Sequence, residues 1–180
     1  MIVRQASPSD LDQIGRIYQD LKRDGMSDAQ KAKLGFVQGR MDAAGMAKRL
    51  EKSLGALVAV DDDIVGAAFY DWTPQATDMQ SPVIGLAQYV ATHKLDPQRV
   101  IMYGPLAVAD SASGRGVARA LVDAVISAAK DNGATEVIAM VDTRNSRSMG
   151  LHEHLGFRIV HRYDYDSRPY LVYGRGVHED

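Results

Sequence analysis

Hydrophobic and polar positions alternate along this chain in short periodic blocks, separated by Gly, Pro, Asp and Asn. Residues 1–5 alternate enough for a first strand, and Ser7-Pro8-Ser9-Asp10 marks a helix start. Ser7 is the expected N-cap. Pro8 takes a first-turn position whose N–H has no partner, and Asp10 complements the dipole. Leu11, Ile14, Ile17, Tyr18 and Leu21 then recur with helical spacing to about Arg23. Residues 25–39 are polar and Gly-punctuated, which predicts a loop or frayed helix. Residues 41–52 predict a second helix with Met46 and Leu50 on one face. Apolar runs over 57–60 and 64–72 flank Asp61-Asp62-Asp63, the pattern of a hairpin. Residues 73–99 hold Pro74, Pro82 and Pro97 as breakers, with a helix expected over 83–93.

The second half is more regular. A strand is predicted over 100–109, a helix over 116–130 closed by Asn132-Gly133, and a strand over 135–141. A helix over 145–155 closed by Gly156 follows, then an antiparallel pair over 157–163 and 170–173. Strand, helix and strand joined by a short link form a parallel crossover unit. The expected fold is therefore α/β, a mixed sheet with a parallel pair in its middle and antiparallel flanks.

Composition narrows the function classes. The chain has 180 residues, enough for one ordinary domain over 1–180, and 46% are hydrophobic, so burial can offset chain entropy. Twenty-one Lys and Arg against 23 Asp and Glu leave a formal charge of -2. That gives no global field for nucleic acid or an anionic membrane. The absence of Cys excludes a disulfide framework, a thiolate metal site and a cysteine nucleophile. The longest apolar run, residues 55–60, falls far short of the ~20 residues of a membrane span. Polar residues begin at Arg4, no secretory signal is read, and a cytoplasmic location is expected.

The most informative stretch is Leu106-Ala107-Val108-Ala109-Asp110-Ser111-Ala112-Ser113-Gly114-Arg115-Gly116-Val117-Ala118, where a strand hands over to a helix. Small residues at Ser113, Gly114, Gly116 and Ala118 let backbone N–H groups converge at the positive end of the helix dipole, and Arg115 adds a charge beside them. That is an anion cradle suited to phosphate or pyrophosphate. Three readings compete: a plain tight turn, a dinucleotide fingerprint with Asp142 ending the next strand, and a coenzyme A pyrophosphate loop. A Walker loop is excluded, since no Gly-Lys-Ser/Thr follows. A dinucleotide fold needs several further strand and helix units, and only about 60 residues remain.

Two segments with consistent spacing resemble the GNAT N-acetyltransferase superfamily. Leu106-Ala107-Val108 followed by Ser113-Gly114-Arg115-Gly116-Val117-Ala118 is similar to that family's strand and Gln/Arg-x-x-Gly-x-Gly/Ala loop. Asn145-x-x-Ser148-x-x-Leu151-His152-Glu153-His154-Leu155-Gly156-Phe157 is similar to its Asn-x-x-Ala-x-x-Leu-Tyr-Glu-Lys-Leu-Gly-Phe. The resemblance implies a GNAT-like acyl-CoA N-acyltransferase fold whose central sheet holds a splayed parallel pair flanked by helices. It implies that the backbone of Leu106 meets the acetyl carbonyl, and that Ala107 and Val108 line the pantetheine. N–H groups from Ser113 through Gly114, Arg115, Gly116 and Val117 to Ala118 hold the pyrophosphate of acetyl-CoA, and Asn145 contacts the pantetheine arm. Pro105 agrees with a strand irregularity there.

Departures from the family pattern matter too. Ser113 stands in place of Gln or Arg at the head of the loop. His152 stands where the family often has a tyrosine that protonates the departing thiolate, so it is either the general acid or a helix histidine without catalytic duty. His152 and His154 point to different helix faces and form no metal pair. The strand before the loop, Ile101-Met102-Tyr103-Gly104, carries no carboxylate base. Asp71, Asp164, Asp166 and Tyr103 are candidates, each more simply read as surface, turn or core.

The expected activity is acetyl transfer from acetyl-CoA to a primary amine of a small molecule, by direct attack in a ternary complex and without a metal. The expected catalytic residues are Leu106, through its N–H, and His152. Alternatives are a protein or peptide acceptor, or a non-catalytic acyl-CoA-binding regulatory domain. Neither nucleic acid nor a membrane is expected as partner, and family precedent makes a homodimer plausible.

Overall fold

The computed structural model describes residues 1–38, 42–75 and 79–179. The strands are β1 (Ile2–Gln5), β2 (Gly55–Asp61), β3 (Asp63–Trp72), β4 (Val100–Val108), β5 (Glu136–Asp142), β6 (Arg158–Tyr165) and β7 (Arg168–Gly176). The helices are α1 (Leu11–Asp20), α2 (Asp28–Leu34), α3 (Ala43–Lys52), α4 (Ile84–Thr92), α5 (Val117–Asp131) and α6 (Ser146–His154). Hydrogen-bonding order in the sheet is β1-β2-β3-β4-β5-β7-β6. β4 and β5 are parallel, while the β1–β2, β2–β3, β5–β7 and β6–β7 pairs are antiparallel, which is the mixed sheet the sequence implies. Among the described residues no helix is long and apolar enough to cross a membrane.

The chain divides into two compact units, Met1–Asp71 with Tyr103–Val125, and Trp72–Met102 with Ile126–Asp180. In the first, the periodic face of α1 is buried as its spacing requires, with Ile14 and Tyr18 wholly inaccessible. These side chains share a core with Met46 of α3, Ala56 and Val58 of β2, Ala67 and Phe69 of β3, and Ala107 of β4. β2 and β3 are apolar on both faces because both faces are covered. Their hairpin turns at Asp62, which takes a left-handed φ of 66°. Gly66 on β3 lets α5 approach: a Cβ there would lie 2.8 Å from Val117 Cγ1.

Ser7 is an N-cap as expected, but of a short 3-10 turn, Pro8–Asp10, that precedes α1, and its N–H donates to Asp10 Oδ2 at 2.7 Å. Of the loop or frayed helix expected over 25–39, the helix is present in part. Residues 25–39 contain α2, started by a reciprocal box in which Gln30 N donates to Ser27 Oγ and Ser27 N to Gln30 Oε1. Gly39 and Met41, at the edges of two expected segments, lie outside the described residues, as do residues 76–78 within 73–99.

In the second unit, α4 lies within the expected 83–93 and buries Leu86, Tyr89 and Val90 with Val100, Ile138 and Val172. β5 and β7 pair over seven positions, from Glu136↔Gly176 to Asp142↔Tyr170. The parallel ladder between β4 and β5 takes in Val100–Met102 alone.

Candidate active site

The last six residues of β4, from Tyr103, lie outside that parallel ladder and lead into the glycine loop. Ala109 N donates to Val65 O of β3 at 2.9 Å, and a Cβ on Gly66 would meet Ala107 O at 3.1 Å. Positions 107 and 109 therefore direct their backbone groups at β3. By strand alternation, Leu106 and Val108 direct theirs away from it. Their amides and carbonyls thus point to the other edge of the strand, past the end of the parallel ladder.

After β4 the chain makes a 3-10 turn over Asp110–Ala112, and Ser113 N bonds Asp110 O at 3.0 Å. Gly114 and Gly116 follow at φ 76° and 79°, left-handed values that side chains resist, and a Cβ on either would meet nothing within 4 Å. α5 begins at Val117, and Ala120 N is the donor to Gly116 O. The amides of Val117, Ala118 and Arg119 thus precede the helical ladder and sit at the positive end of a fifteen-residue helix. Open space over two glycines, beside orphan amides, fits a diphosphate.

The Arg115 side chain is engaged elsewhere. Its guanidinium pairs with Asp61, which also receives the terminal ammonium of Met1 at 3.5 Å. Arg115 holds the Asp61 carboxyl below the usual range, first by hydrogen bonding. Lys33 lies 3.6 Å from Asp110 at the loop's entry.

Immediately before Leu106 the strand is bent at Gly104, φ 111°, and Pro105, joined by a cis peptide bond. Two side chains reach these carbonyls. Tyr18 Oη donates to Pro105 O at 2.6 Å, and Arg49 Nη2 donates to Gly104 O at 2.6 Å. The Arg49 guanidinium also lies over the Phe69 ring, 5.3 Å from its centroid. Sequence reasoning missed both roles, since Tyr18 read as a core position. Arg49 left a signal: it lies three residues after Met46, on the apolar face of α3, where a cation needs partners.

In the second unit, Asn145 caps α6. Its Oδ1 accepts from Ser148 N at 3.2 Å, and the residue is 7% exposed. His152 is buried near the C-terminus of α6, with Nδ1 2.7 Å from Ser148 O. A carbonyl only accepts, so Nδ1 carries the proton of the neutral ring and Nε2 a lone pair. Phe157 approaches edge-on at 5.4 Å and Tyr173 stacks at 5.0 Å. Burial in this aromatic setting pulls the imidazolium pKa down to about 4, against the smaller opposing effect of the Ser148 carbonyl. Asp142 is also buried and binds the Arg144 guanidinium and backbone N–H.

Of the other candidates, Asp164 and Asp166 are exposed near the β6–β7 turn, and Tyr103 is buried, with its phenol pushed upward by burial. Asp71 is half-buried and acts electrostatically on Arg49. Among the described residues no group of three His, Asp or Glu is arranged to hold a metal.

The chain belongs to the acetyltransferase (GNAT) family, whose pattern it matches over residues 35–157. It is similar to an L-methionine sulfoximine/L-methionine sulfone acetyltransferase of Pseudomonas aeruginosa, 31% identical over 84 residues, which is 47% of this chain and 49% of the relative. The match thus spans about half the length of that relative. The fold is shared with a phosphinothricin acetyltransferase from Sinorhizobium meliloti solved with acetyl-CoA, at TM-score 0.69 and 18% identity over 97% of this chain and 87% of the other. It is shared equally with a ribosomal-protein-alanine N-acetyltransferase from Brucella melitensis, at TM-score 0.68 and 21% identity over 98% and 99% of the two chains.

Proposed function

We propose that residues 1–180 form one acetyl-CoA-dependent N-acetyltransferase domain acting on the primary amine of a small molecule in the cytoplasm. The observation that carries this reading is the outward-turned backbone of Leu106 and Val108 leading into the Gly114–Gly116 cradle and the first turn of α5. Pantetheine amides pair with the first, as an added strand would, and the diphosphate lies in the second. The small acceptor is supported by the partial relative, which is named for methionine sulfoximine.

Chemically, the amine nitrogen forms a bond to the thioester carbon, the C–S bond breaks, and the thiolate leaves with its electron pair. Leu106 N–H is assigned to stabilise the transient oxyanion. With no cysteine in the chain, no cysteine acyl-enzyme forms on it, and transfer is direct. His152, neutral and with its Nδ1 proton on Ser148 O, holds α6 against Phe157 and Tyr173. Water then supplies the proton to the thiolate and accepts the one lost by the amine. The Asn145 carboxamide, fixed as a helix cap, is assigned to the pantetheine arm.

A thiol-release assay over a panel of small amines and amino acids, alongside calorimetric titration of acetyl-CoA, tests the reading. Turnover on at least one small amine is expected. Tight acetyl-CoA binding with no turnover on small amines or peptides would instead make the protein an acyl-CoA-binding module, the reading favoured by the absence of an exposed acid at His152. Turnover on peptide termini alone would move the acceptor to the protein class.

A further inference from the structure

We infer that Tyr18 and Arg49 are positioning residues for acyl transfer, which aim and polarise the Leu106 amide by holding the two carbonyls that precede it. The inference rests on the proposed role of Leu106 and adds the parts that make that amide competent.

The Pro105 carbonyl and the Leu106 N–H belong to one peptide unit, and the only cis bond near it is the preceding one. In a planar trans unit the C=O and N–H vectors point in opposite directions. A group that fixes Pro105 O therefore fixes where Leu106 N–H points. Tyr18 is that group. Its hydroxyl is wholly buried, 2.6 Å from Pro105 O and 3.3 Å from Ala67 O of β3. It has one hydrogen, and the shorter contact takes it. Donation to the carbonyl also draws electron density through the amide and strengthens the N–H as a donor on its far side.

Arg49 holds the neighbouring Gly104–Pro105 peptide, which has no N–H of its own, and so fixes the bend that carries the Leu106 amide. Nη2 holds Gly104 O, and the ring of Phe69 supports the guanidinium plane. Tyr18 and Phe69 stand 6.2 Å apart, so one aromatic group braces both clamps. The bend needs this help because it cannot satisfy itself. Pro105 has no N–H, and Gly104 at φ 111° is far from strand geometry. A purely structural need would be met by any donor. Here α1 and α3 each send one side chain to consecutive carbonyls beside the proposed reacting atoms.

The test is difference infrared spectroscopy of acetyl-CoA carrying a 13C-labelled carbonyl, bound to wild type, Tyr18→Phe, Arg49→Met and the control Ile17→Val. A hydrogen bond from Leu106 lowers the thioester stretch relative to free acetyl-CoA. We expect Tyr18→Phe and Arg49→Met to lose most of that lowering and about tenfold in kcat, with KM for acetyl-CoA within about twofold. Ile17→Val, which trims α1 without touching the hydroxyl, should keep both stretch and kcat. Should Tyr18→Phe fail to fold, Arg49→Met carries the test. A lowered stretch in wild type that persists in the folded variants overturns the clamp and leaves the Leu106 assignment standing. No lowering in wild type removes Leu106 from the chemistry, and the clamp with it.

Discussion

The imidazole of His152 stacks on the phenol ring of Tyr173, 5.0 Å between centroids and 28° from parallel. Tyr173 in turn donates from its hydroxyl to Glu153 Oε1 at 3.0 Å, and its phenol is pushed up to about 12, chiefly by burial. A ring enclosed this way resists protonation, and the consequence is measurable. In the folded protein His152 titrates at about 4, against about 6.5 when unfolded. The unfolded state therefore binds more protons between those values, and stability falls as pH drops through that window, by up to ~3 kcal/mol.

His152→Phe should remove that loss. The Ser148 carbonyl stays within the helix, and an aromatic replaces an aromatic. Urea unfolding is expected to show the variant within about 1 kcal/mol of wild type at pH 7 and more stable than wild type at pH 4.5. Its kcat should stay within about threefold, because a general acid contributes at least about a hundredfold. A loss of that larger size would restore His152 as the acid.

Gly116→Val should uncouple the cradle from the rest of the protein. The substituent meets no neighbour, so the cost is conformational, about 1–2 kcal/mol for forcing a side chain into the left-handed region. The loop escapes by rotating its amides out of line. Calorimetry is expected to show at least a tenfold weaker Kd for both coenzyme A and acetyl-CoA, with the melting temperature lowered by only a few degrees. Unchanged affinity would place the diphosphate elsewhere.

At the start of the chain, Asp10 is buried and accepts two bonds from Arg4 and others from Ser7. Arg4 first, then the Ser7 groups, hold its carboxyl well below the usual range against the cost of burial. Its contribution is present above about pH 4 and declines as pH falls toward the lowered folded value. Asp10→Asn should cost about 1–2 kcal/mol at pH 7, and the gap to wild type should narrow at pH 2.5 in denaturant unfolding. A gap that does not depend on pH would mean that the carboxyl charge is not what stabilises this turn.

Much of the fold was legible because its signals are local. Apolar spacing marked α1, Pro82 and Pro97 bounded α4, Asn132-Gly133 closed α5, the three aspartates marked the β2–β3 hairpin, and Asn145 and Gly156 bracketed α6. The turn at Gly114 and Gly116 was legible for the same reason, since glycine positions speak directly about backbone conformation. α2 read only as a loop or frayed helix because its box, Ser27 to Gln30, starts a helix with no buried residue to give it a period. The clamp on Gly104 and Pro105 escaped because it joins residues 55 and 87 positions apart. No window of sequence holds both ends of such a contact. His152 was ambiguous because its environment is set by Phe157 and Tyr173, not by its helix neighbours.

The most direct test of the account is the crystal structure of the complex with acetyl-CoA. Diphosphate oxygens within about 3 Å of the amides from Gly114 to Ala118, and the acetyl oxygen on Leu106 N–H, are the predicted result. A coenzyme bound with its diphosphate away from that loop would contradict it.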